Sequence, residues 1–143
     1  MSMNAQPRRG IAIVTCMDCR LDVLAAAGLE LGDAHVLRNA GGIVTDDTIR
    51  SLAISQRKLG TREVIVAHHT DCGMENLDEE GFRAELAEAA GTEPPFAIGS
   101  FGDVEADVRE SVRRVRTSPF LAHRDAVRGF VYDVETHRLR EVT

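Results

Sequence analysis

Two short segments hold most of the residues capable of chemistry, Cys16-Met17-Asp18-Cys19-Arg20 and His69-Thr70-Asp71-Cys72. Thiolates and an imidazole are the donors that suit a tetrahedral Zn²⁺ ion, and His69 and Cys72, three residues apart, can share one face of a turn. Two thiolates and one imidazole leave a fourth position open, which distinguishes a catalytic zinc from a structural one. Asp18 could fill that position reversibly, because residues i and i+2 of an extended segment project to the same side. Arg20 could hold the Asp18 carboxylate in a bidentate pair and so compete with the metal for it. The same residues admit two other readings. Cys16 and Cys19 form a Cys-x-x-Cys, the spacing of a redox pair, and Cys16, Cys19, His69 and Cys72 together could close a structural zinc site. Cys19 decides among them.

The elements that must position these groups follow from hydrophobic pattern and turn chemistry. Residues 11–15 are a short β-branched strand ending at Cys16, and residues 22–28 read as a brief helix opened by Asp22 and closed by Gly28. A second strand at 34–38 stops at Asn39-Ala40-Gly41-Gly42, and an amphipathic helix runs over 45–59 with Thr45 as its N-cap. Residues 63–68 are a continuous apolar strand of the kind buried on both faces of a parallel sheet, and it delivers residues 69–72 to its C-terminal end. Helical patterning over 82–90 and 104–116 is separated by a Gly- and Pro-bearing loop at 91–102, and segments 127–134 and 139–142 flank a turn at Glu135-Thr136-His137, as in a hairpin. Alternating βα units predict an α/β fold, a single domain with a mostly parallel central sheet flanked by helices. A short N-terminal arm, residues 1–10, precedes the domain at 11–143. Ligands of such sheets bind at the carboxyl ends of strands, and neighbouring strands lie ~4.8 Å apart, so two strand ends can converge on one atom. The remaining polar residues have plainer readings: His68 as a packed strand-end residue, His35 in a strand, His123 and His137 exposed, Asp71 capping its turn, and residues 38–42 as a strand-to-helix turn that also walls the site.

Composition narrows the partners. The 143 residues suit one domain by a prior of ~150 residues per domain. A net charge of -6 and five Phe with one Tyr describe an acidic protein with an aliphatic core, lacking the basic surface that binds nucleic-acid phosphates or anionic membrane. Its apolar runs fall far short of the ~20 residues of a membrane span, and residues 1–10 lead into no signal-peptide core, so a cytoplasmic location is expected. Three cysteines are too few, and odd in number, for a secreted disulfide framework.

The motifs taken together resemble the β-class carbonic anhydrases, and residues 11–74 are especially similar to short mycobacterial members. The resemblance is carried by Cys-x-Asp-x-Arg at 16–20, Arg-Asn-Ala-Gly-Gly at 38–42 and His-x-x-Cys-Gly at 69–73, and residues 128–134 are similar to the closing strand of those enzymes. It implies one Zn²⁺ per chain bound by Cys16, His69 and Cys72. Asp18 then either ligates the metal in a closed state or, paired to Arg20, hydrogen-bonds the activated water that attacks carbon dioxide. The small-molecule reaction implied is reversible hydration of carbon dioxide to bicarbonate and a proton. Two thiolates donate more charge than imidazoles, so activity should favour alkaline pH. Hydrolysis of carbonyl sulfide or carbon disulfide on the same site is the alternative within the family pattern, and a non-catalytic zinc-binding or redox-responsive protein the alternative outside it. An exposed sheet edge and the resemblance both point to a homodimer or homotetramer. Three departures stand out: Gln6, ten residues before Cys16, is the only upstream match to the family's substrate-binding glutamine; the N-terminal arm is short; and Met74 stands where many relatives have a second glycine.

Overall fold

Strand β1 (Ile11–Cys16) is buried along its whole length because it lies inside the sheet, with parallel neighbours on both sides. The computed structural model describes residues 4–143; the first three residues of the expected N-terminal arm lie outside the described residues. Among the described residues, β1, β2 (Ala34–Asn39), β3 (Glu63–His69), β4 (Val127–Asp133) and β5 (Arg138–Glu141) form one five-stranded sheet in the order β2-β1-β3-β4-β5. Every pairing is parallel except the β4–β5 hairpin. The expected mostly parallel α/β architecture is present.

Period-two alternation in β1 sends its side chains to two cores. Ala12 and Val14 join Leu52 of helix α2 (Asp46–Leu59) and Val108, Val112 and Val115 of helix α4 (Val104–Thr117) on one face. Ile11 and Ile13 join Leu21, Val23 and Leu29 around helix α1 (Val23–Ala26) on the other, together with Cys16, Cys72 and Tyr132. The site therefore sits at the upper edge of an apolar layer. Helix α2 begins where its capping chemistry dictates: Thr45 Oγ1 accepts from the Thr48 amide, and the Thr48 hydroxyl accepts from the Thr45 amide.

Some boundaries differ from the sequence pattern. Helix α3 (Glu79–Ala90) starts three residues before the expected Phe82, because Asp78 caps it and Glu79 and Glu80 suit its N-terminal dipole. The helix expected at 22–28 shrinks to α1, with Asp22 outside it as N-cap and Gly28 in a left-handed turn beyond it. Strand β3 extends through His69, which pairs in register with Tyr132. None of the described helices is long and apolar enough to cross a membrane.

Candidate metal centre

The parallel pairing of β1 with β3 sets Thr15 beside Ala67, so Cys16 at one strand end and His69 at the other emerge at the same edge of the sheet. Cys72 returns to the same point through the turn after β3. The Sγ atoms of Cys16 and Cys72 and a ring nitrogen of His69 all lie within 4.8 Å of one another, and all three residues are buried. His69 Nδ1 is 2.6 Å from the Thr70 carbonyl, an acceptor, so Nδ1 carries the hydrogen and Nε2 is left with a bare lone pair. That Nε2 is buried without a hydrogen-bond partner among the described residues. An orphaned imidazole nitrogen facing two thiols is the donor set that a soft tetrahedral cation satisfies, and its second nitrogen is oriented as a metal-ligating histidine requires.

The electrostatics fit the same use. The neighbouring Cys72 thiol pulls Cys16 well below its usual range, while Cys16 pushes Cys72 up, with burial raising Cys72 further. The Gly41 amide donates to Cys16 Sγ at 3.3 Å and the Met74 amide to Cys72 Sγ at 3.5 Å. Burial works against a charged His69, but the Cys16 sulfur and the Thr70 carbonyl outweigh it and raise the imidazole.

Asp18 stands outside the three-donor cluster, with Oδ2 3.8 Å from His69 Nε2. Its carboxylate is taken by Arg20: Oδ1 accepts from Arg20 Nε at 3.0 Å and from the Arg20 amide at 2.8 Å, and Oδ2 accepts from Nη2 at 2.7 Å. The Arg20 hydrogen bonds hold the Asp18 carboxyl well below the ordinary carboxylate range, so it is an anion and only an acceptor. Arg20 is gripped from its other side by Asp71, through the carboxylate at 3.0 Å and the carbonyl at 3.0 Å. Asp71 therefore does not simply cap its turn. Cys19 is exposed and outside the cluster.

Arg38, read from sequence as part of a turn, holds the loop that carries the site. Its guanidinium donates to the carbonyls of Cys16 at 2.9 Å, Asp18 at 2.5 Å and Leu21 at 3.4 Å. The Arg-Asn-Ala-Gly-Gly pattern was the available signal, although nothing local says where an arginine side chain will reach. The turn Ala40–Gly42 then brings backbone against Cys16, and both its glycines have positive φ, 86° and 68°. A cleft of about 470 Å³ opens beside the donors, walled by Ala40, Gly41, Met74, Leu77 and Phe82, with Cys16, Asp18 and Cys72 at its floor. Met74 packs on Gly41, so the missing second glycine becomes part of an apolar wall. Gln6 is exposed and absent from that lining.

A family model described as carbonic anhydrase matches residues 11–93. Beta-carbonic anhydrase 1 of Mycobacterium tuberculosis is 52% identical over 137 residues, covering 96% of this chain and 84% of the relative. Carbon disulfide hydrolase of Acidianus sp. is 34% identical over 157 residues, covering 93% of this chain and 77% of the relative. The crystal structure of carbonic anhydrase from Streptococcus mutans superposes with a TM-score of 0.91 at 45% identity, covering 100% of this chain and 87% of that one.

Proposed function

The chain belongs to the β-carbonic anhydrase family, and from that premise we propose that it hydrates carbon dioxide reversibly with a zinc ion held by Cys16, His69 and Cys72 and with Asp18 and Arg20 as its catalytic pair. The observation that carries this reading is the buried Cys-His-Cys donor set with an orphaned His69 Nε2, beside an Asp18 carboxylate held on Arg20. When bound there, zinc supplies Lewis acidity that makes water a nucleophile near neutral pH.

The chain's own residues supply the rest. Asp18, an acceptor only, takes a hydrogen bond from the reacting water and so turns a lone pair of that water toward the cleft. Arg20, fixed between Asp18 and Asp71, holds the carboxylate in that orientation and outside the Cys16–His69–Cys72 cluster. The apolar wall of Ala40, Met74, Leu77 and Phe82 receives an uncharged linear substrate and excludes competing water. Met74 and the apolar wall would equally receive carbon disulfide, and a relative bears that activity by name.

The finer assignments rest on the same reading. An N-terminal arm before a domain at 11–143 is supported, over its described residues, by the Arg8 and Arg9 amides bonded to the carbonyls of Gly32 and Asp33. The enzyme is a cytoplasmic homodimer or homotetramer, supported by the unpaired edge of β2 and by exposed Ile54 and Phe120.

Metal analysis with stopped-flow hydration tests the assignment, with carbon disulfide as a second substrate. One zinc per chain, kept in Cys19→Ser and lost in Cys72→Ser, is expected, with carbon dioxide turned over faster than carbon disulfide. Loss of zinc from a folded Cys19→Ser would overturn the ligand set.

A further inference from the structure

Behind the ligands, two buried polar atoms face each other without a role in the chemistry above. His68 Nδ1 and Asp107 Oδ2 are 3.2 Å apart, yet the pair lacks the alignment of a formed hydrogen bond, and neither atom has another partner among the described residues. His68 comes from β3 and is fully buried; Asp107 comes from α4 on the opposite side of the ring. A Leu or Phe would fill this space with no desolvation penalty, whereas each orphaned polar atom costs about 1–3 kcal/mol. Two such groups meeting from separate elements are each other's compensation.

The other side of the ring leads to the metal centre. His68 Nε2 is 3.0 Å from the Gly42 carbonyl, which can only accept, so Nε2 carries a hydrogen. Nδ1 then meets a carboxyl oxygen, and the contact needs one hydrogen, carried by either partner. The ring plane is set by Phe101, stacked on it at a centroid distance of 5.9 Å. Gly42 ends the turn whose Gly41 amide donates to Cys16 Sγ.

We propose that Asp107 is a positioning residue for the metal centre: by engaging His68 Nδ1 it fixes the ring with Nε2 donating to the Gly42 carbonyl, and so holds the Gly41 amide on the Cys16 sulfur. This rests on Cys16 being a zinc ligand. Each link is short: carboxyl to imidazole, imidazole to carbonyl, and one peptide unit to the amide that reaches sulfur. The arrangement extends the outer-shell support of metal sites by one residue, acting on the backbone donor to a thiolate instead of on a ligand ring.

The test uses the zinc-loaded full-length protein. Long-range ¹H–¹⁵N spectra should show His68 with hydrogen on Nε2 and a hydrogen-bonded Nδ1; a ring with hydrogen only on Nδ1 overturns the proposal without any mutation. In chelator competition Asp107→Ala should bind zinc about tenfold more weakly or worse, the range of outer-shell losses. Asp107→Asn, whose amide can donate to Nδ1, should recover most of that affinity. The thiolate-to-metal band of the cobalt-substituted protein should shift in Asp107→Ala and return in Asp107→Asn. Unchanged affinity in the alanine variant, or equal loss in both, refutes the role. Should Asp107→Ala fail to fold, the wild-type ring spectrum and Asp107→Asn decide. Retention of zinc by Cys72→Ser would instead count against the ligand assignment and leave the His68 ring form as measured.

Discussion

Substituting Gly42 by alanine separates the two demands that the Ala40–Gly42 turn makes on its backbone. At φ 68° any L side chain incurs a left-handed penalty of about 1–2 kcal/mol. The new Cβ would also stand 2.9 Å from the Cys16 nitrogen and 2.9 Å from the Thr15 carbonyl carbon, with His68 Cδ2 at 3.2 Å. Those first two atoms belong to β1, paired on both sides, and cannot withdraw without disturbing the ladders to β2 and β3. Overpacking of this kind costs about 1–3 kcal/mol, so Gly42→Ala should destabilise by about 2–5 kcal/mol, a large share of the 5–15 kcal/mol typical of a domain. Gly60→Ala is the internal control: its φ is 80°, but a Cβ there meets nothing within 4 Å, so it should show the conformational penalty alone. Urea unfolding of both variants at equal protein concentration measures the difference. Zinc affinity should fall in Gly42→Ala, because the Gly41 amide shifts on Cys16, and hold in Gly60→Ala. Equal destabilisation by the two substitutions would refute the steric argument, and with it the claim that this turn is pressed against Cys16.

Asp18→Ala should keep its zinc but lose about 10²-fold or more in hydration rate, the usual scale of a lost acid–base group. Arg20→Ala should be nearly inactive from neutral to mildly alkaline pH while the wild type gains activity; wild-type rates in both variants would reduce the pair to a surface ion bridge. Arg38→Ala releases three carbonyls of the Cys16 loop and should cost about 1 kcal/mol of stability with a larger loss of zinc affinity, read by thermal unfolding and chelator competition. Glu110, held near about 2 by hydrogen bonds from Arg113 and then Arg114, supplies a pH test. Because its folded value lies below the ~4.3 of an unfolded glutamate, its contribution is present above that value and is lost as pH falls toward about 2. Glu110→Gln should flatten the urea midpoint across that window by a small amount that salt diminishes, and an unchanged slope would remove the pair from the stability of α4.

What the residues themselves determined is the set of local decisions. A continuous apolar run marked β3 as a strand buried on both faces, Thr45 set the start of α2, and the hairpin at the C-terminal end followed from two short strands around a turn. Asp78 as the cap of α3 was equally available, since an acidic residue followed by Glu79 and Glu80 is a helix start; the apolar pattern, which begins only at Phe82, obscured it. Cys16, His69 and Cys72 were identifiable as donors by type and by position at strand ends. Spacing alone left Cys19 as good a partner as Cys72, and only the fold separated them, leaving Cys19 exposed while parallel pairing of β1 and β3 buried the other three donors at one point. The contacts that tune the site were decided by tertiary structure alone. Arg38 reaches Cys16 across 22 residues, Arg20 reaches Asp71 across 51, and Asp107 meets His68 from helix α4. Secondary structure is written in the chain because neighbouring residues share one backbone and its periodicity. A long polar side chain chooses its partner from whatever the packed elements bring within about 3 Å, the reach of a hydrogen bond, and no local pattern records that choice.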